Sequence, residues 1–316
     1  MPLSSEAQAP RTKASADLRT VERYALRVGD LTVAVESVSP SLRLEIPRTS
    51  RLFLADDERP DLGLRVRWGR LDPEADDQLL FDSGGAWRLY GSRGRHAYRF
   101  FDRSFGPAPY KEARLDPDLA NGEVFLNPDA FPLDTPVDAL EFPLDELLFL
   151  RLLAARGGIE LHACGVAASG QGYLFAGQSG DGKTTTARLW EGLPGASILS
   201  DDRIIVRCGT EGTWWMYGTP WHGEAELAAS ARAPLSAVLL LERGERNGFR
   251  KLEPAEAVSG LLARSFVPFH DADLMAASLQ LLDNLVREVP CLRFPFVPEE
   301  EAVRFVLDSV PQGKKS

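Results

Sequence analysis

The chain has 316 residues, of which 44% are hydrophobic and 26% charged, and carries a net charge of −10. Such a composition belongs to a globular protein of one large domain or two ordinary ones. It excludes a nucleic-acid backbone or an anionic membrane surface as the main partner, since both need clustered Lys and Arg, and no segment approaches the roughly 20 apolar residues of a membrane span.

Residues 1–20, MPLSSEAQAPRTKASADLRT, lack the apolar run of a secretory signal and read as a flexible tail. A reducing cytoplasm is therefore the expected compartment. Residues 21–128 read as a mostly antiparallel β domain. YALRV, LTVAVE, LGLRVRW, QLLFD, AWRLY, HAYRFF and GEVFLN are rich in β-branched and aromatic residues, and turn formers such as VGD, DSGG and GSRG separate them. Residues 129–143 are proline-rich and read as a linker. From 144 to 316 the pattern becomes α/β. LDELLFLRLLAARGG is a helix with acids in its first turn and a glycine stop, and IELHACGVAA and GYLFAG are strands. ASILSDDRIIVRC holds a buried strand, and TWWMYG and LSAVLLLER are further strands. PAEAVSGLLARSF and DADLMAASLQLLDNLVREV are helices, and CLRFPF and EEEAVRFVLDSV close the chain as strand and helix.

The three cysteines, Cys164, Cys208 and Cys291, are far apart and form no CxxC, which points to small apolar residues rather than a disulfide framework or zinc site. The four histidines, His96, His162, His222 and His270, show no metal-ligand spacing.

Chemistry concentrates after the strand GYLFA. Gly177-Gln178-Ser179-Gly180-Asp181-Gly182-Lys183-Thr184 fits G-x-x-x-x-G-K-[ST] completely, between an apolar strand and a helix that begins with Thr184 and Thr185. Three glycines let backbone N–H groups turn inward into an anion nest, and the helix N-terminus adds positive potential there. The expected ligands are ATP and Mg²⁺, with Lys183 reaching the β- and γ-phosphates and the Thr184 hydroxyl on the metal. Phosphoryl transfer also needs a carboxylate on a neighbouring strand, to complete the metal shell and take a proton. ILSDDRIIV supplies Asp201 and Asp202 one helix further on. If ELHACGVA and GYLFAG pair through the SGQG turn, His162 lies one strand from the loop. YGTPWHGEAEL reads as a binding loop in which His222 and Glu224 are candidates for acceptor or metal contact. Arg188, Arg203, Arg232 and Arg264 are further phosphate-binding candidates. Asp181, an anion on the rim of an anion site, is either a solvent-facing loop residue or a clamp on an incoming cation.

The narrower pattern G-x-S-G-x-G-K-[ST], here GQSGDGKT, resembles the loop of the HPr kinase/phosphorylase family and of ATP-dependent phosphoenolpyruvate carboxykinase. His162 upstream and Asp201-Asp202-Arg203 downstream are similar in order and spacing to HPr kinases, and the resemblance covers roughly residues 158 to 310. It implies a P-loop kinase domain of HPr kinase/carboxykinase type, with Asp201 and Asp202 sharing metal binding and activation of a serine hydroxyl and His162 assisting; Arg203 is, beside it, a candidate for substrate contact. Residues 24–127 do not resemble the N-terminal domain of a bifunctional HPr kinase, and GTPWHGE stands where that family has a glycine-rich signature. The acceptor, a hydroxyl on a small molecule, peptide or protein, is therefore open. So is the part played by the β region, as acceptor reader, homo-oligomer interface or cover. The competing expectation is an ATP-binding regulatory or scaffold protein that transfers nothing.

Overall fold

The computed structural model describes residues 19–56, 59–71, 77–92, 94–132 and 135–310. The tail expected over 1–20 lies outside the described residues, save Arg19 and Thr20, which open the first strand. The N-terminal strands are β1 (Arg19–Val21), β2 (Arg23–Val28), β3 (Leu31–Ser37), β4 (Leu44–Ile46), β5 (Leu62–Trp68), β6 (Gln78–Asp82), β7 (Trp87–Ser92), β8 (Arg95–Phe100), β9 (Lys111–Leu115) and β10 (Asn121–Leu126). Eight of them form one sheet in the order β2-β3-β5-β10-β9-β8-β7-β6, while β1 pairs with β4. Within the sheet β5 pairs in parallel with β3 and β10, and the other neighbours are antiparallel. Period-two alternation sets the buried face: Leu62, Leu64 and Val66 of β5 lie inside beside Val124 and Leu126 of β10.

The remaining elements are α1 (Leu144–Ala155), β11 (Gly158–Ala168), β12 (Gln171–Ala176), α2 (Lys183–Glu191), β13 (Ala196–Ser200), β14 (Arg203–Cys208), β15 (Trp214–Tyr217), β16 (Arg232–Arg243), β17 (Arg250–Lys251), α3 (Pro254–Leu262), β18 (Ser265–Phe266), α4 (Ala272–Glu288), β19 (Cys291–Phe296) and α5 (Glu300–Ser309). The architecture is thus mixed α/β built on two sheets. β12 is buried along its whole length, as a strand covered on both faces must be, and it runs parallel to β16, which runs parallel to β19. Trp190 of α2 and Val303 and Val306 of α5 cover Tyr173, Phe175 and Leu239 on one face. Leu261 of α3 and Leu282 and Leu285 of α4 cover Leu174, Val238 and Leu240 on the other. Each such fully buried aliphatic or aromatic side chain stabilises by about 1.5–3 kcal/mol.

Helix α1 binds the two sheets together. Leu148, Phe149 and Leu152 share a core with Val33, Leu64 and Tyr98 of the first sheet, with Ile205 of the second, and with Trp221 from the loop after β15. Val137, Ala139 and Leu140, from the proline-rich stretch before α1, are buried in that core as well.

The long strand β11 changes partners along its length. β11 pairs with β14 over Gly158–His162 and with β12 over Ala163–Ala168. The β11–β12 turn has Ser169 at φ 53° and Gly170 at φ 78°, the two left-handed residues of a tight hairpin. His162 therefore stands at the switch in β11, paired with Arg203 at the start of β14, and its carbonyl accepts from the N–H of Gly177 (3.2 Å). Three chain segments meet at that point: the end of β12, the switch of β11 and the bend before β14.

Candidate functional site

The glycine-rich loop leaves the end of β12 and enters α2 at Lys183. Gly180 (φ 87°) and Gly182 (φ 107°) take backbone angles that favour glycine. A Cβ on Gly182 would also lie 2.8 Å from Phe296 Cζ. No side chain caps α2, so the first N–H groups of the helix stay free of capping partners at the loop. Gly177 is buried, Gln178, Ser179, Gly180 and Thr185 are exposed, and Thr184 is half-buried.

Lys183 is buried and folds over the loop, its Nζ donating to the carbonyls of Gly177 (3.0 Å) and Gln178 (3.1 Å) and lying 3.9 Å from Asp202 Oδ1. Burial pushes its pKa down, and the charges of Asp202 and Asp181 partly oppose this. Asp181 turns inward. Its Oδ2 accepts from the N–H of Gln178 (2.6 Å) and lies 3.5 Å from Arg264 Nη2, so it braces the loop from inside the turn.

The chain bends between β13 and β14, and the two aspartates at the bend have different partners. Asp201 is 1% exposed and accepts from the N–H groups of Gly223 and Ala225, both at 2.9 Å. It ties down the loop that carries His222 and Glu224. Asp202 faces the glycine-rich loop. Its Oδ1 lies 2.8 Å from His162 Nε2, and its Oδ2 pairs with Arg203. Burial pushes the Asp202 carboxyl up, but the His162 hydrogen bond and the charges of Arg203, His162 and Lys183 outweigh it and hold it below the ordinary carboxylate range.

Arg203 is fixed from behind. Its Nε donates to Glu146 (3.0 Å) and lies 3.4 Å from Glu160, and its guanidinium sits 4.2 Å over the Phe266 ring. Glu160 has no exposed surface; burial and the neighbouring Glu146 carboxyl push its pKa well up, against Arg203. His222 is half-buried with Nδ1 3.0 Å from the Gly223 carbonyl, and Glu224 is exposed. A Cβ on Gly223 would lie 2.8 Å from Asp201 Oδ2 and 3.1 Å from Asp202 Cβ, so the WHGE loop approaches the aspartates only because a glycine stands there.

The structure thus brings Lys183, Asp202, His162 and Arg203 to one place, with Thr184 next to Lys183 in the chain and the His222–Glu224 loop held beside the aspartates through Asp201. Of the other arginines, Arg264 reaches the loop through Asp181. Arg188 is exposed in the last turn of α2, and Arg232 pairs with Asp30 of the first sheet, away from the site. Sequence reasoning missed Glu146, Glu160, Phe266 and Arg243, whose Nη2 is 3.4 Å from the Gly180 carbonyl. Arg243 ends a strand parallel to β12, and a cation at that position was a readable signal. The others come from distant segments and left none.

A divalent ion with ATP phosphates fits this donor set. Among the described residues no group of three or more His, Cys, Asp or Glu could hold a metal. Thr184 and Asp202 offer the one or two hard oxygens that Mg²⁺ takes from a protein when phosphates and water complete its shell. Among the described residues no helix is long and apolar enough to cross a membrane.

No family model matches the chain, and no curated protein matches it in sequence. Among solved structures, the HPr(Ser) kinase/phosphatase from Coxiella burnetii aligns with 47% of this chain and 93% of its own, at 12% identity and a TM-score of 0.25. That is a weak likeness to a kinase/phosphatase.

Proposed function

We infer that the chain is an Mg-ATP-dependent phosphotransferase of HPr-kinase-like type, acting on a hydroxyl. Residues 144–316 would form the P-loop domain, with the β-rich domain of 21–128 beside it. The observation that carries this reading is the placement of Asp202 between His162 (2.8 Å) and Lys183 (3.9 Å), at the mouth of a glycine-rich turn into a helix. A structural ion pair explains a carboxylate beside a lysine. It does not explain why that pair faces an uncapped helix N-terminus built from glycines with positive φ.

The amides of Ser179, Gly180 and Gly182 to Thr185 and the Lys183 ammonium would bind the phosphates, since those of Gln178 and Asp181 are used within the turn. Thr184 and Asp202 would hold the metal, whose divalent charge offsets that of the phosphates when bound. Asp202, poised as a carboxylate, would take the proton of the acceptor hydroxyl as that oxygen bonds the γ-phosphorus. The bond from γ-phosphorus to ADP breaks, and its electron pair leaves on ADP. His162 orients Asp202 and can relay its proton. Arg203 holds the second oxygen of Asp202, and Asp201 positions the His222–Glu224 loop over the site.

Incubation of the purified chain with γ-labelled ATP and an extract of metabolites and proteins from its host tests this. Label is expected on an acceptor, of low or high mass. Tight Mg-ATP binding with no labelled acceptor would replace the reading by that of a non-transferring nucleotide binder.

A further inference from the structure

A cavity of about 660 Å³ opens between the first sheet, helix α1 and the segment after β18. Its walls are apolar and aromatic: Trp87 and Tyr98 from the sheet, Leu147 and Leu150 from α1, and Phe266 and Phe269 from the segment. Phe142 and Phe269 stand at its rim, 62% and 72% exposed. Nothing in the fold requires large aromatics to be left in water at that place.

The inner end of the cavity is one side chain from the reacting groups. Phe266 is a shared wall. Its ring lies edge-on to His162, with centroids 6.1 Å apart, and under the guanidinium of Arg203. Glu146 also lines the cavity and accepts from the Nε of Arg203, the residue that pairs with Asp202. The polar groups on the opposite side are incomplete. Arg151 is 5% exposed and uses Nη2 on Asp271 and His96, but its Nε and Nη1 have no hydrogen-bond partner among the described residues. Neither has Nε2 of His270, whose ring burial and the Arg151 charge keep neutral, its pKa brought down to about 4. Arg151, buried in the cavity wall next to Tyr98, gives this apolar space a fixed polar point.

We propose that this cavity is the acceptor site, and that the acceptor is a small alcohol with an aromatic or otherwise apolar body. The body fills the cavity between Trp87, Leu150 and Phe269, and the hydroxyl extends past Phe266 to Asp202. Pockets of roughly 300–1,000 Å³ take one small organic ligand, and mainly apolar walls with a few fixed polar groups select its body. The proposal rests on the phosphotransferase reading, which supplies the phosphoryl donor and the base.

The test uses the full chain and two probes, 4-phenyl-1-butanol and 1,4-butanediol, which share a primary alcohol and differ in the apolar body. Calorimetric titration is expected to show binding of the phenyl alcohol and none of the diol. Ala86→Phe and Leu150→Trp, which fill the cavity from the sheet and from α1, should each weaken that binding by about tenfold or more through steric exclusion. Ala86 is already exposed, so its variant keeps the test alive if the Leu150 variant fails to fold. Leu279→Trp, on the outer face of α4, should bind as the wild type does. Equal binding of the two alcohols, or wild-type affinity in both folded cavity variants, overturns the proposal. A separate Mg-ATP titration of the wild type keeps the two failures apart. Loss of alcohol binding with Mg-ATP bound sinks the cavity, whereas alcohol binding without Mg-ATP binding sinks the phosphotransferase reading.

Discussion

Replacing Asp202 by Asn separates binding from transfer. The amide keeps an acceptor oxygen for His162 Nε2, now 2.8 Å from the carboxylate, and removes the charge. Arg203 is not left as an orphaned cation, because Glu146 (3.0 Å) and Glu160 (3.4 Å) still face it. Lys183 keeps its two loop carbonyls. The fold is therefore expected to change little, and ATP binding through the loop amides and Lys183 should persist, with the metal held less tightly. The chemical step loses its base. General bases contribute about 10²–10⁴-fold, or about 3–5 kcal/mol of barrier. Transfer from γ-labelled ATP, followed as acceptor-bound label, should fall by at least that factor, while ATP binding remains measurable by calorimetry. The pH dependence follows from the sign of the shift. The folded-state pKa of Asp202 is lowered, so the base stays ionised through the neutral range and Asp202 adds no acid limb there. Its stabilising contribution is complete above the ordinary Asp range and is lost as pH falls through the lowered value. The Asn variant should lack that acid-side loss in a melting-temperature series. An Asn variant that transfers label at close to the wild-type rate would refute Asp202 as the base.

Lys183→Ala should weaken Mg-ATP binding by about 2–5 kcal/mol, the usual cost of truncating one member of a buried charge pair, and unchanged calorimetric affinity would remove the phosphate loop. Gly182→Ala forces a side chain into φ 107° and against Phe296, and urea denaturation should show a loss of about 1–3 kcal/mol. Asp201→Ala leaves the N–H groups of Gly223 and Ala225 without their acceptor, at about 1–3 kcal/mol for each buried donor, and limited proteolysis should cut faster near 223–226. Glu160→Gln tests the buried acid pair. Glu160 has a raised folded pKa, so its stabilising contribution is complete below the ordinary Glu range and is lost as pH rises through the raised value. The Gln variant should show a flatter melting temperature on the alkaline side, and a wild-type slope in that variant would count against a neutral Glu160.

The glycine-rich loop and its flanking strand and helix were legible because their signals are local. Backbone angle, helix start and phosphate chemistry all fall within eight neighbouring residues. Strand β9 was not legible. KEARL has three charges in five residues, a pattern of exposed loops, yet Lys111 and Glu112 have no exposed surface. Glu112 is neutralised by Arg99 from the adjacent strand and by Arg114, and Lys111 by the Glu141 carboxylate (3.5 Å), with the Glu141 carbonyl (3.1 Å) and the Phe100 ring (4.8 Å) adding contacts. Charges are buried there because their partners arrive from elsewhere in the chain, which no window of sequence contains. Glu146 and Glu160 were missed for the same reason. Each reads alone as the polar residue of a helix or strand, and only the register of β11 on β14 sets Glu160 against Arg203.

The pair Asp201-Asp202 marks the boundary between what pattern and geometry can assign. The sequence offers two like residues with interchangeable duties. In the structure the two side chains at the bend are taken up by different partners. One meets the 223–225 loop and the other the glycine-rich turn. Buried and given two backbone donors, Asp201 satisfies its charge entirely with amides, and its work is to hold the loop. Asp202 is left at a partly open position, satisfied by His162 and by Arg203, which also pairs with Glu146. On the phosphotransferase reading, a carboxylate so placed, beside a lysine and an uncapped helix N-terminus, is the member of the pair expected to exchange a proton with an incoming ligand.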